Sequence, residues 1–76
     1  MEPTYNVYML TDGAVYDEES FETIERASQV FDNLVQRETE ARTHYYHNGM
    51  DYAETTVHLY DTFYGNMLAE TCITAV

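Results

Sequence analysis

Seventy-six residues make one domain near the lower limit of what a single core supports, and fourteen Asp and Glu against three Arg and no Lys leave a formal net charge of −11. Such a chain repels nucleic acid and anionic membranes and is drawn to basic surfaces. Its hydrophobic content of 45% argues against disorder despite that charge. No apolar run approaches the roughly 18 residues of a membrane span. The first ten residues, MEPTYNVYML, lack the cationic start and small-residue cleavage site of a signal peptide. The single cysteine, Cys72, cannot close an internal disulfide, so a reducing cytoplasm is the expected location.

Taken in order, Thr4–Leu10 alternates as a strand, with Tyr5, Val7 and Met9 on one face and Asn6, Tyr8 and Leu10 on the other. Bulk on both faces suits a strand inside a sheet with a helix on one side, and Pro3 precedes it where a missing N–H does little harm. Asp12-Gly13 is a two-residue hairpin signal, with Ala14–Tyr16 returning as a short strand. Asp17, Glu18 and Glu19 then lead into a helix over 20–40. There Phe21, Ile24, Ala27, Phe31, Leu34 and Val35 form one apolar stripe. Glu22, Glu25, Gln29, Asp32 and Gln36 take the opposite face. Ser20 is the expected N-cap, with acids at the positive end of the helix dipole and Arg37 toward the other.

Beyond the helix two readings compete. Ala41 and Tyr45 continue the stripe toward a C-cap at Asn48-Gly49. Alternatively 42–46 is a strand and Asn48-Gly49 a hairpin turn, which the threonine and paired tyrosines favour. Residues 51–61 read as a strand with Thr55, Val57 and Leu59 facing one way and Thr56, His58 and Tyr60 the other. Thr62–Asn66 is a turn needing a positive φ at Gly65. Met67–Val76 is the last strand, with Met67, Ala69, Thr71 and Ile73 on one face. The expected fold is α+β: one domain over residues 1–76, with an amphipathic helix packed on an antiparallel sheet of about four to five strands in the order β-β-α-β-β-β.

The acids are the most informative residues. Asp12, Asp17, Glu18, Glu19, Glu22 and Glu25 lie in a fourteen-residue window, and Asp32 continues the helix face. Helical turns rise about 5.4 Å, so this row is spaced on the scale of phosphates along a nucleic-acid strand, and a cationic groove cannot separate the two by charge alone. A solvated face or salt adaptation would also favour Asp and Glu over Lys. Eight Tyr and four Met fit an interface composition better. Tyr45, Tyr46, Tyr52, Tyr60 and Tyr64 exceed what one helix covers, so some belong to the core and others to a contact surface. The expected partner-binding residues are Asp17, Glu18, Glu19, Glu22, Glu25, Asp32, Tyr46 and Tyr60.

Catalytic chemistry finds no signature. His44 and His47 would share a face only on a helix, and no Cys pair supports a metal site. Cys72 has no orienting group that would mark it as a nucleophile and reads as a buried structural thiol. No enzyme activity, cofactor or metal is expected.

A short, Lys-free, strongly acidic α/β chain with an acidic helix face resembles the small phage-encoded inhibitors of bacterial defence and repair: anti-CRISPR proteins, anti-restriction DNA mimics and uracil-DNA glycosylase inhibitors. The resemblance lies in size and composition and carries no motif, so no residue role transfers with it. It implies an inhibitor without catalytic residues that evades host defence by filling the nucleic-acid site of a basic enzyme such as a CRISPR–Cas effector. It also implies a host cytoplasmic location and no direct nucleic-acid or membrane binding. The alternative is a small adaptor or assembly protein that uses a tyrosine-rich sheet face, as a homodimer or with another protein.

Overall fold

The doubly bulky strand at the start of the chain sits inside the sheet. The computed structural model describes residues 4–75. Its elements are β1 Tyr5–Thr11, β2 Ala14–Phe21, α1 Ile24–His47, β3 Thr55–Asp61 and β4 Asn66–Cys72, with the strands ordered β2-β1-β3-β4 and every neighbour antiparallel. The α+β class holds, with four strands in the order β-β-α-β-β. Pro3 and the far end of the expected last strand, Val76, lie outside the described residues.

Local chemistry sets the first hairpin. Asp12 and Gly13 both take positive φ (50° and 81°), the requirement of a type I′ turn whose twist matches the strands it joins. The returning strand does not stop at Tyr16 but continues to Phe21, so Asp17, Glu18 and Glu19 belong to β2 and not to a helix lead-in. Ser20 is a strand residue whose hydroxyl donates to Asn6 Oδ1 at 2.7 Å, and the helix N-cap is Thr23, whose Oγ1 accepts from Arg26 N–H at 3.2 Å. The register passes from Val7↔Glu19 to Met9↔Tyr16, so Asp17 and Glu18 together oppose Tyr8 in a β-bulge, with Asp17 at φ 54°.

One face of the sheet and the first half of α1 make the core. Val7 and Met9 of β1, Val57 and Leu59 of β3, and Ile73 pack with Ala27, Phe31 and Leu34. The stripe continues at helical spacing through Glu38 and Arg42, both buried. That continuation keeps α1 helical to His47, so 42–46 is helix and not the strand preferred from its threonine and tyrosines. Asn48-Gly49 closes the helix instead of a hairpin. Gly49 takes φ 68°, its N–H reaches Tyr46 O at 3.1 Å, and Met50 N–H reaches Tyr45 O at 2.8 Å, the paired bonds of a Schellman cap. Asn48 Nδ2 adds a bond to His44 O at 2.8 Å.

The second hairpin follows expectation. Asp61 Oδ1 accepts from the backbone N–H of Phe63 and Tyr64 at 2.9 and 3.2 Å, and Gly65 supplies φ 72°. A bulge at Leu68 then shifts β4, so Met67 opposes Tyr60 and leaves the face of Ala69 and Thr71 on which alternation placed it.

Candidate partner-binding surfaces

Three surfaces emerge from this arrangement, and the expected binding residues are divided among them. On the outside of α1, Glu25, Asp32 and Glu40 are exposed at intervals of seven and eight residues, about 10–12 Å along the axis. Glu22 is exposed just before the N-cap. This row is sparser than the sequence suggested, because Glu18 and Glu19 are not on the helix. Arg26 also stands in the row and donates to Gln29 at 2.8 Å.

The second surface is the shallow groove between β2 and α1, lined by Asp17, Glu19, Val30, Asn33, Leu34 and Arg37. Register with the buried Val7 turns Glu19 to the helix side. Arg37 bridges the groove to Asp17 at 2.9 Å and also reaches Glu38 at 3.0 Å. The hydrogen bond that the Arg37 guanidinium donates to Asp17 is the main reason it is held above its ordinary pKa, with partial burial opposing and Glu38 adding. Both partners of the Asp17 pair are more than half exposed, so it contributes little to stability.

Arg42 lies deeper, in an arrangement that periodicity alone did not reveal. Its guanidinium donates to Glu38 at 3.1 Å and to Thr55 Oγ1 at 2.7 Å, and sits 5.8 Å from the centre of the Tyr52 ring. Thr55 in turn meets Thr11 Oγ1 at 3.0 Å and the carbonyl of Ala53 at 3.2 Å. A charged pair buried at stripe positions, one turn apart, is the signal that the sequence contained.

The third surface is the face of the sheet that α1 does not cover. Residues directly opposite one another share a face, so β1, β3 and their neighbours place Asn6, Tyr8 and Leu10 beside Thr56, His58 and Tyr60. Glu18 flanks this strip on β2; Met67, Glu70 and Cys72 flank it on β4. Tyr8 and His58 stack with centroids 4.8 Å apart and planes 12° from parallel. His58 is buried, its Nε2 lies 2.7 Å from Thr56 Oγ1, and its Nδ1 lies 3.3 Å from Glu70 Oε2 without the geometry of a hydrogen bond. Burial raises the Tyr8 phenol above its ordinary value, assisted by the charges of Glu18, Tyr60 and Glu70. Of the expected tyrosines, Tyr60 belongs to this face. Tyr46 is exposed in the last turn of α1, beside His47, away from the other candidates.

Charge is spread along the body. Thirteen carboxylates and three arginines fall among the described residues, leaving −10 over a longest dimension of 48 Å. That is about one net charge per 4.8 Å, against one per 3.4 Å along a nucleic-acid strand.

The helical placement does put His44 and His47 one turn apart, yet no group of three His, Cys, Asp or Glu able to hold a metal occurs among the described residues. Cys72 is exposed on edge strand β4, not buried as its chemistry suggested, because register with Thr56 turns it to the uncovered face. No helix among the described residues is long and apolar enough to cross a membrane. Comparison with known protein families, with curated proteins and with solved structures found no match to this chain.

Proposed function

We propose that this protein is a non-enzymatic inhibitor that occupies the nucleic-acid-binding groove of a basic host defence or repair enzyme, such as a CRISPR–Cas effector, with carboxylates standing where phosphates would lie. The observation that carries this reading is the density of uncompensated negative charge on an elongated, folded body. Two of the three arginines are paired within the chain: Arg37, on the surface, with Asp17 and Glu38, and the buried Arg42 with Glu38. They subtract little from the acidic surface that a partner meets. Glu22, Glu25 and Asp32 on the helix side and Glu18 and Glu19 on β2 are the residues that would engage a partner's Lys and Arg. In this role the protein works in the host cytoplasm and does not itself bind nucleic acid.

Association should be fast and salt-sensitive, because steering between opposite charges is screened over about 8 Å at physiological ionic strength. The test is displacement of a labelled oligonucleotide from a CRISPR effector, a restriction enzyme and a uracil-DNA glycosylase. Reversal of Glu25 and Asp32 to Lys, both exposed and free of ion pairs among the described residues, should keep the fold and raise the concentration needed for displacement at least tenfold. A folded reversal variant that displaces as well as the parent removes the helix face from the interface.

A further inference from the structure

We infer that the uncovered face of the sheet is a docking surface for arginine side chains of the protein partner, with Tyr8 and Tyr60 as the ring platform and Glu18 and Glu70, on the opposite edge strands β2 and β4, each receiving a separate guanidinium. This rests on the reading of the protein as a ligand for a basic partner and names the part of it that would recognise one particular side chain.

This face offers planar rings and carboxylates side by side, which is the environment a guanidinium prefers, since it stacks on an aromatic face and donates two parallel N–H bonds to a carboxylate at its edge. All three arginines of the chain are in α1, on the other side of the sheet, so among the described residues no guanidinium compensates Glu18 or Glu70, and His58 is the one basic side chain beside Glu70. The fold builds the same environment once for itself: Arg42 stands 5.8 Å from the Tyr52 ring and 3.1 Å from Glu38. The uncovered face repeats the ring and the carboxylate without the arginine.

His58 supplies an independent observation. It is 6% exposed, its side chain is directed to this face, and its Nδ1 has no hydrogen-bond partner. The nearest group, the Glu70 carboxylate at 3.3 Å, is on a side chain 58% exposed. Glu70, directly opposite His58 on β4, touches the imidazole without a hydrogen bond and keeps more than half of its side chain in solvent. Its acceptor positions stay available to an incoming donor, an ionised carboxylate having about four lone-pair sites. At one end of the face a hollow lined by Leu10, Asp12, Glu54 and Thr56 adds two further carboxylates and no cation. A second copy of this chain is the poorer occupant, because it would bring Glu18 and Glu70 against their own counterparts at net charge −11 on each side.

The experiment is an isotope-resolved NMR titration of the full chain with a capped glycine-rich peptide carrying arginines, beside a lysine peptide of equal length and charge. The arginine peptide should bind at least about fivefold more tightly. Its shift changes should centre on Tyr8, His58, Tyr60 and Glu70. Glu18→Gln with Glu70→Gln should abolish the preference, while Glu40→Gln with Asp51→Asn, an equal change of charge at exposed residues outside the sheet, should preserve it. Equal binding of the two peptides, shifts centred on α1, or equal losses from both pairs of substitutions would each overturn the inference. So would a salt-resistant dimer in sedimentation whose interface maps to this face. The comparison of peptides on the unaltered protein needs no variant to fold. If the Glu18 and Glu70 variant still displaces nucleic acid from a target at parental concentration, this inference fails and the inhibitor reading stands. If arginine preference holds but no target loses its nucleic acid, the inhibitor reading fails and this one stands.

Discussion

Replacing Glu38 with Leu should be among the most damaging single changes in this protein, although Glu38 is a charged residue in a chain with charge to spare. Arg42 is buried and Glu38 is its one carboxylate partner among the described residues. Without it the guanidinium keeps Thr55 and the Tyr52 ring but no counter-charge. Leaving one member of a buried pair uncompensated costs about 3–5 kcal/mol. The reverse change is milder: Arg42→Met leaves Glu38 paired with the half-exposed Arg37, so a loss nearer 1–3 kcal/mol, about that of a broken charged hydrogen bond, is expected. Combining them as Glu38→Leu with Arg42→Met substitutes apolar contacts for the pair and should recover stability to within about 1–2 kcal/mol of the parent. Urea unfolding followed by far-UV circular dichroism measures all three variants. Should Glu38→Leu be too unstable to fold alone, folding of the double variant still reports the coupling. A double variant as unstable as the sum of the two single changes would refute the account of this network.

Other consequences follow from single contacts. Phe31, central to the core, should lose about 3–5 kcal/mol on truncation to Ala, measured as the same urea midpoint shift; a variant melting within a few degrees of the parent would move the core elsewhere. Gly49→Ala places a Cβ at φ 68° and should cost about 1–2 kcal/mol by loosening the Schellman cap, seen as faster amide exchange at Gly49 and Met50. Tyr8 has a folded pKa above 10.0, so its neutral phenol contributes stability in full below pH 10 that is lost as pH rises through the folded value. Tyr8→Phe should accordingly flatten the alkaline fall in melting temperature, and an unchanged slope would contradict the burial of Tyr8 against His58 and between Glu18 and Glu70. Salt screening should raise the melting temperature modestly from a fold already formed in dilute buffer; a helix that forms only near 1 M salt, where the Debye length is about 3 Å, would mark the acidity as salt adaptation.

What the sequence made legible was what local chemistry decides. Asp12-Gly13 and Gly65 named their turns because positive φ leaves few residue choices, and alternation sorted Val7 and Met9 from Tyr8, and Val57 and Leu59 from His58. What stayed hidden depended on partners distant in sequence. Asp17–Ser20 has a composition that strands disfavour, and only pairing with β1 around a bulge makes it one. The last two turns of α1 were obscured because Thr43, Tyr45 and Tyr46 favour a pleated surface and Asn48-Gly49 also signals a hairpin, while the buried position there is the charged Arg42, which breaks an apolar pattern unless it is paired. Glu18 and Glu70 lie on opposite edge strands, and only the pairing registers across the sheet, bulges included, turn them to the same face as Tyr8 and Tyr60.

The central claim is that a partner cannot hold this protein and its nucleic acid together. Two-colour anisotropy with a labelled oligonucleotide and the labelled protein on one purified target, across a salt series, tests that claim directly. Mutual exclusion at one-to-one stoichiometry, with inhibitor affinity falling steeply as salt rises, is the predicted result. A stable ternary complex in which the target keeps both the oligonucleotide and the protein would contradict it.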